Sequence, residues 1–75
     1  MKGQDRGRRF VPEIGTIYQN RGGGEYICTG LGGEYNATME RIKDGWQLLA
    51  HGLLMYEDGT IEWDYSTGGR FIRGY

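Results

Sequence analysis

Cysteine and histidine each occur once in this sequence, as Cys28 and His51. One cysteine cannot form an internal disulfide, and one cysteine with one histidine falls short of the four ligands of a structural zinc site. Cys28 stands in the apolar run Tyr26-Ile27-Cys28, which predicts a small buried thiol in a reducing cytoplasm. We therefore expect the protein to hold no metal and no other cofactor.

Long hydrophobic runs are also missing. The longest, Leu53 to Tyr56, is far shorter than the roughly 20 residues of a membrane-spanning helix, and no apolar segment follows Lys2 as in a secretory signal. The sequence thus predicts a cytoplasmic protein with no membrane partner. Its 75 residues leave room for one modest core, which disfavours a deep active site and favours a binding surface.

Glycine, by contrast, fills 15 of the 75 positions and marks the turns. Segments 20–24, 43–45 and 57–59 combine Asn or Asp with Gly, which tolerate the positive φ of tight hairpins. Between the turns the sequence predicts strands near 14–20, 24–30, 34–42, 46–56 and 60–66. A sheet of such strands leaves fewer exposed edges when it curls toward a barrel. The expected fold is therefore all-β, and its expected architecture is a small five-stranded antiparallel, SH3-like half-open barrel.

Alternation of apolar and polar residues is clearest over 60–65, which predicts one buried and one solvent-exposed face. The inward set is Ile61, Trp63 and Tyr65, and the outward set is Glu62 and Asp64. In the segment 35–40, the same alternation predicts that three residues point inward: Tyr35, Ala37 and Met39.

The segment 46–56 admits two interpretations. Its apolar residues fit one face of a helix, which would make the fold α+β. However, Gly45 and Gly52 would each cost about 1 kcal/mol in a helix, and Asp-Gly turns flank the segment at hairpin spacing. We therefore favour a strand that bends at Gly52. On either side of that bend the residues expected to pack inward are Leu48, Ala50, Leu53 and Met55.

The net charge of −1 hides an uneven distribution. Residues 1–12 carry a balance of +3 and residues 70–75 carry +2, whereas residues 13–69 hold three basic and nine acidic side chains, a balance of −6. We expect a flexible basic arm over 1–12 and a single small β domain over 13–75. An acidic body repels the backbone of nucleic acids and attracts basic surfaces.

The chain from Gly45 onward has a distinctive ending. It reads Gly45-Trp46, Ala50-His51-Gly52, Tyr56, Asp58-Gly59, Ile61, Trp63-Asp64, Ser66 and Gly68-Gly69-Arg70-Phe71. This pattern resembles a recurring ending of short uncharacterised proteins from Firmicutes and from their phages and mobile elements. The resemblance implies a phage-like setting inside a bacterial host cell. A small acidic protein in that setting is expected to inhibit a host enzyme, as anti-CRISPR proteins do.

These observations favour a non-enzymatic protein-interaction domain, most concretely a phage or mobile-element inhibitor of a host defence nuclease. Its expected partner is a protein with a basic surface, such as a CRISPR effector or another nuclease, bound through an acidic face. The residues expected to make the contacts are four carboxylates and two aromatic anchors: Glu57, Asp58, Glu62, Asp64, Tyr56 and Tyr65. An unpaired outer strand could also join two copies of the chain by edge pairing.

The alternative is a small nucleic-acid or nucleotide-binding β-barrel, in which aromatic residues stack on bases and basic termini contact phosphates. The basic residues in that case are Arg6, Arg8, Arg9, Arg70 and Arg73. A third possibility, a small enzyme, needs a nucleophile or an acid beside His51. Because the only serine, Ser66, stands at the far end of the 60–66 strand, we expect His51 to be an ordinary strand residue and no residue to be catalytic.

Overall fold

The computed structural model describes residues 7–67 and 70–72, and this part of the chain forms one seven-stranded β-sheet without a helix. The strands are β1 (Arg8–Arg9), β2 (Ile17–Gln19), β3 (Glu25–Leu31), β4 (Ala37–Arg41), β5 (Gln47–Met55), β6 (Ile61–Thr67) and β7 (Arg70–Ile72). The predicted all-β class is confirmed. Each of the five predicted strands overlaps one of β2 to β6, and the alternative helix over 46–56 is wrong because that segment forms β5.

Strands β2 to β7 follow one another across the sheet in chain order, and each pairs antiparallel with the next. Strand β1 lies off this path and pairs with the second half of β5, with Arg8 opposite Met55 and Arg9 opposite Leu54. Consequently β5 has β4 as its neighbour over its first half and β1 over its second, while β6 borders both halves. Strand β5 is therefore the central element of the fold.

The turn between β5 and β6 illustrates how the Asp-Gly signals act. Gly59 has φ +87°, in the region that favours glycine, and its N–H donates to the carbonyl of Tyr56 at 2.9 Å. The Asp58 carboxylate accepts a hydrogen bond from the backbone N–H of Thr60 at 2.9 Å, and this bond between side chain and backbone stabilises the turn. The consecutive residues Asp58, Gly59 and Thr60 therefore determine the shape of this turn.

The hydrophobic core lies on one side of the sheet, which we call the inner face; the opposite side is the outer face. Its buried side chains, mostly at every second position of β3 to β6, are Tyr26, Cys28, Ala37, Met39, Leu48, Ala50, Leu53, Ile61 and Trp63. The rings of Tyr26 and Trp63 meet edge to face, with their centroids 4.8 Å apart. Two large rings in this favourable geometry supply much of the bulk that so short a chain can bury.

Gly52 is the point at which β5 bends. It has φ +64°, and the pairing of β5 with β6 shifts register between His51 and Leu54. Leu48 and Ala50 are buried before the bend and Leu53 is buried after it. The predicted bend at Gly52 is therefore confirmed, and it lets one long strand contribute to the core on both sides of the change in direction.

The structure differs from the sequence expectation at the two ends of the chain. Strand β1 lies within the segment 1–12, for which a flexible arm was expected, and it pairs with β5. Residues 1–6 of that segment lie outside the described residues. Strand β7 was not predicted, and it pairs with the end of β6. Both are too short to show a period-two pattern, and their pairing depends on distant partners.

The sheet is not closed into a barrel. Strands β2 and β7 end the path, and within the described residues β2 approaches β6 at a single bridge between Asn20 and Ile61. The neighbouring Arg21 N–H donates to the carbonyl of Ile61 at 3.0 Å. The expected half-open, SH3-like barrel is therefore supported only as an open antiparallel sheet with one such contact near its edge.

Two single-residue expectations have opposite outcomes. Cys28 is a buried free cysteine, as predicted, and burial raises the pKa of its thiol. Tyr35, expected to point inward, is instead 39% exposed in the loop before β4, with φ 54°. No helix in the described ranges is long and apolar enough to cross a membrane.

Candidate functional site

The turn between β5 and β6 carries two of the four predicted contact carboxylates, and both are exposed. Glu57 lies on the surface of the turn. The Asp58 carboxylate accepts hydrogen bonds from the hydroxyl and the backbone N–H of Thr60, at 2.5 and 2.9 Å. These two bonds, followed by the charge of Arg21, lower the pKa of Asp58. Asp58 therefore stays ionised at neutral pH while it also holds the turn.

Tyr56 joins this turn to the outer face of β6. Its hydroxyl donates to Oε1 of Glu62 at 2.7 Å. The guanidinium carbon of Arg21 lies 4.1 Å from the centroid of the Tyr56 ring, and Nη1 of Arg21 is 3.9 Å from the Asp58 carboxylate. The ring of Tyr56 is thus fixed between a carboxylate and a cation, beside the exposed Glu57 and Asp58.

Arg21 is the functional residue that sequence reasoning missed. It comes from the turn between β2 and β3, far along the chain from the acidic residues, and it reaches them because of the bridge between Asn20 and Ile61. No local pattern in the sequence signals this contact. Its consequence is that one positive charge lies beside Tyr56 and Asp58 of the predicted contact surface.

Asp64, the fourth predicted carboxylate, lies one alternation further along the outer face of β6, opposite His51 on β5. His51 Nε2 and Ser66 Oγ are 2.8 Å apart and share a hydrogen bond. From the sequence, Ser66 was expected to lie too far from His51 to interact with it. The antiparallel register of β5 and β6 brings the two side chains into contact. A base beside a hydroxyl is the first requirement of a nucleophilic serine, and this pair meets that one requirement.

A groove of about 490 Å³ runs between β1 and the end of β5. Its lining residues are Arg8, Arg9, Phe10, Met55, Tyr56 and Glu57. Arg8 and Arg9 belong to the predicted nucleic-acid set, and Tyr56 and Glu57 belong to the predicted protein-contact set. Arg8 and Arg9 are exposed, whereas the expected protein-contact residue Tyr56 is half-buried in its wall. The structure therefore places two members of each predicted set side by side in one groove.

The remaining predicted residues are not part of this surface. Tyr65 is two positions from the buried Trp63 and so lies toward the inner face, where its ring packs against Trp46 with centroids 5.5 Å apart. It therefore lies on the opposite face of β6 from Glu62 and Asp64, and its role as a partner contact stays a prediction. Arg70 begins β7 opposite Thr67, and Arg6 and Arg73 lie outside the described residues.

The described residues contain no group of three or more His, Cys, Asp or Glu side chains arranged to hold a metal ion. Comparisons of the chain with protein-family models, with curated proteins and with solved structures found no match.

Proposed function

We propose that this protein is a non-enzymatic interaction domain that binds a basic protein through its acidic face, defined as Glu57, Asp58, Glu62 and Asp64. One observation supports the proposal most strongly. The half-buried ring of Tyr56 contacts Glu62 and adjoins the exposed carboxylates of the turn between β5 and β6. A fixed aromatic ring with a charged rim has the anatomy of a protein-binding hot spot.

The charges around Tyr56 indicate what the partner presents. Four carboxylates favour Lys and Arg side chains on the partner, while Arg21 beside Tyr56 and Asp58 favours one acidic group among them. Arg9, paired opposite Leu54, borders the same surface. Mixed charges of this kind contribute to specificity and to the rate of association more than to affinity.

In its most concrete form, the partner is a host defence nuclease of the CRISPR type and the protein is its inhibitor, made in the cytoplasm of a bacterial host by a phage or a mobile element. The acidic face would then occupy a channel that normally receives nucleic acid. This form rests on the resemblance of the C-terminal third and on the negative balance of residues 13–69.

Charge reversal tests the proposal. The protein is titrated against a panel of purified CRISPR effector nucleases at about 50 and 300 mM salt, because contacts between exposed charges weaken with ionic strength. We expect binding to at least one nuclease, and we expect Glu62→Lys with Asp64→Lys to abolish it. The matched control is Glu25→Lys with Glu34→Lys, which adds the same charge at exposed positions elsewhere. Equal loss in both double variants, or no binding at all, contradicts the proposal.

A second candidate function is nucleic-acid binding in the groove beside β1. The supporting observation is that the exposed Arg8 and Arg9 share that groove with the rings of Phe10 and Tyr56. Cations beside aromatic rings bind single-stranded nucleic acids, because the cations contact the phosphates and the rings stack on the bases. The test is a gel shift with single-stranded oligonucleotides, in which Arg8→Gln should weaken binding and flatten its salt dependence. Oligonucleotide binding that Arg8→Gln leaves unchanged rules out this groove.

A further inference from the structure

A second pocket, of about 290 Å³, opens at the end of the core beside the β2–β6 bridge. Its lining includes all four aromatic rings of the two edge-to-face pairs together with two polar side chains: Tyr26, Trp46, Trp63, Tyr65, Asn20 and Arg41. Tyr26 and Trp63 are buried, whereas Trp46 and Tyr65 are half-buried. Trp46 and Tyr65 are therefore the rings of this pocket that solvent can reach, while Tyr26 and Trp63 lie beneath them in the core.

The polar groups of the pocket are chiefly hydrogen-bond donors. Arg41 is positioned over the ring of Trp46, with its guanidinium carbon 4.8 Å from the centroid, and Asp44 holds it by two hydrogen bonds of 2.9 and 2.8 Å. The side-chain oxygen of Asn20 accepts the Gly22 N–H at 2.7 Å, which leaves its amide nitrogen as the donor. A complementary ligand presents acceptors.

The same groups disfavour other ligand classes. A quaternary ammonium or methylated lysine, the usual guest of an aromatic cage, would have to compete with the Arg41 guanidinium, which already lies over the ring of Trp46. A purely aliphatic guest offers no acceptor to the amide nitrogen of Asn20, whereas Arg41 keeps its hydrogen bonds to Asp44. A planar ring with acceptors on its edge satisfies both the aromatic rings and the donors, and nucleobases have this chemistry.

We propose that the pocket formed by Trp46, Tyr65, Arg41 and Asn20 binds a nucleobase, carried by a free nucleotide or by a single strand. This inference does not depend on the proposed function, because the pocket opens from the inner face and Glu62 and Asp64 lie on the outer face. Binding of a protein partner and of a base are therefore separable.

Tryptophan fluorescence measures occupancy directly, because both tryptophans of the chain line this pocket. The probes are AMP, GMP, CMP, UMP and hexameric oligothymidylate, with ribose 5-phosphate and tetramethylammonium as ligands without a base. We expect saturable quenching by nucleotides or by the oligonucleotide alone. Equal affinity for a mononucleotide and for the hexamer identifies a free nucleotide as the ligand, whereas quenching by the hexamer only identifies a strand.

Two tyrosines give a matched pair of variants. Tyr65 packs against Trp46 and Tyr18 packs against Phe10, in each case with ring centroids 5.5 Å apart, but only Tyr65 lines the pocket. We expect Tyr65→Leu to weaken nucleotide binding about tenfold and Tyr18→Leu to leave it unchanged. Thermal melts identify any variant that fails to fold, and Arg41→Gln, which keeps every ring, is expected to weaken binding too.

Three results would overturn the inference: no saturable quenching by any base, equal quenching by ribose 5-phosphate or tetramethylammonium, or equal loss in Tyr65→Leu and Tyr18→Leu. The double variant Glu62→Lys with Asp64→Lys should bind nucleotides normally. Retention there, with loss of the protein partner, separates this site from the acidic face.

Discussion

Arg9 donates a hydrogen bond from Nη1 to the carbonyl oxygen of Gly52 at 2.6 Å. The contact joins β1 to the residue at which β5 bends. A Cβ atom at position 52 would lie 2.5 Å from that same Nη1, so a side chain there would displace the flexible Arg9 side chain, and the φ of +64° favours glycine. The bend in β5 and the attachment of the N-terminal strand are therefore one structural feature.

Replacement of Gly52 should be costly because of its positive φ. We expect Gly52→Ala to lower the free energy of unfolding by about 1–3 kcal/mol, the range for a non-glycine residue held in the left-handed region. Gly33→Ala is the control, because Gly33 has an ordinary φ and only the Asn36 amide, at 3.9 Å, near its added Cβ. Urea denaturation should find Gly33→Ala neutral or slightly stabilised. Equal effects would contradict this account of the bend.

Trp63 is the largest side chain of the core and is 3% exposed. Trp63→Ala should cost about 3–5 kcal/mol, which is most of the stability expected of so small a domain. Far-UV circular dichroism should find it largely unfolded near room temperature. Gln47→Ala, at an exposed position of β5, should change stability by less than about 0.5 kcal/mol. A Trp63→Ala variant that melts like the wild type would refute the inner-face assignment.

The hydrogen bond between Tyr56 and Glu62 predicts an energetic coupling. In a double-mutant cycle of Tyr56→Phe and Glu62→Ala, each of which removes this hydrogen bond, we expect a coupling energy of about 0.5–1.5 kcal/mol. Urea denaturation of the wild type, the two single variants and the double variant supplies the four values. A coupling energy of zero would mean that the ring of Tyr56 is not held in place, which would weaken the proposed anchor.

Asp44 predicts how stability depends on pH. Hydrogen bonds from Arg41 and from the Trp46 N–H lower the pKa of Asp44 from 3.8 to about 2 in the folded protein. The unfolded chain therefore takes up the proton first, so this contribution is full above pH 3.8 and is lost as the pH falls toward 2. Urea midpoints measured between pH 6 and 2 should fall less steeply for Asp44→Asn. Asp58, whose pKa is also lowered, should leave a residual slope in that variant.

The sequence was sufficient for the elements that local chemistry decides. Asp58-Gly59 predicts its turn, the alternation from Ile61 to Trp63 predicts the buried face of β6, and Gly52 predicts the bend. These features depend on φ preferences and on a period of two, both of which are local.

The features that the sequence could not provide are contacts between distant segments. The pairing of β1 with β5, the proximity of His51 to Ser66, and the position of Arg21 over Tyr56 each depend on register between strands. A single sequence does not specify which strands become neighbours. For this reason four carboxylates were predicted as a face, whereas the cation beside Tyr56 and Asp58 was not.

The acidic face around Tyr56 is the central claim, and an NMR titration tests it most directly. The amide resonances of ¹⁵N-labelled protein are followed while octa-arginine is added at about 50 mM salt. We predict saturable shifts at Tyr56, Glu57, Asp58 and Glu62, with Glu25 and Glu34 unshifted. Shifts at Glu25 and Glu34 as large as those around Tyr56, or no shifts at all, would contradict the claim that this surface is the binding site.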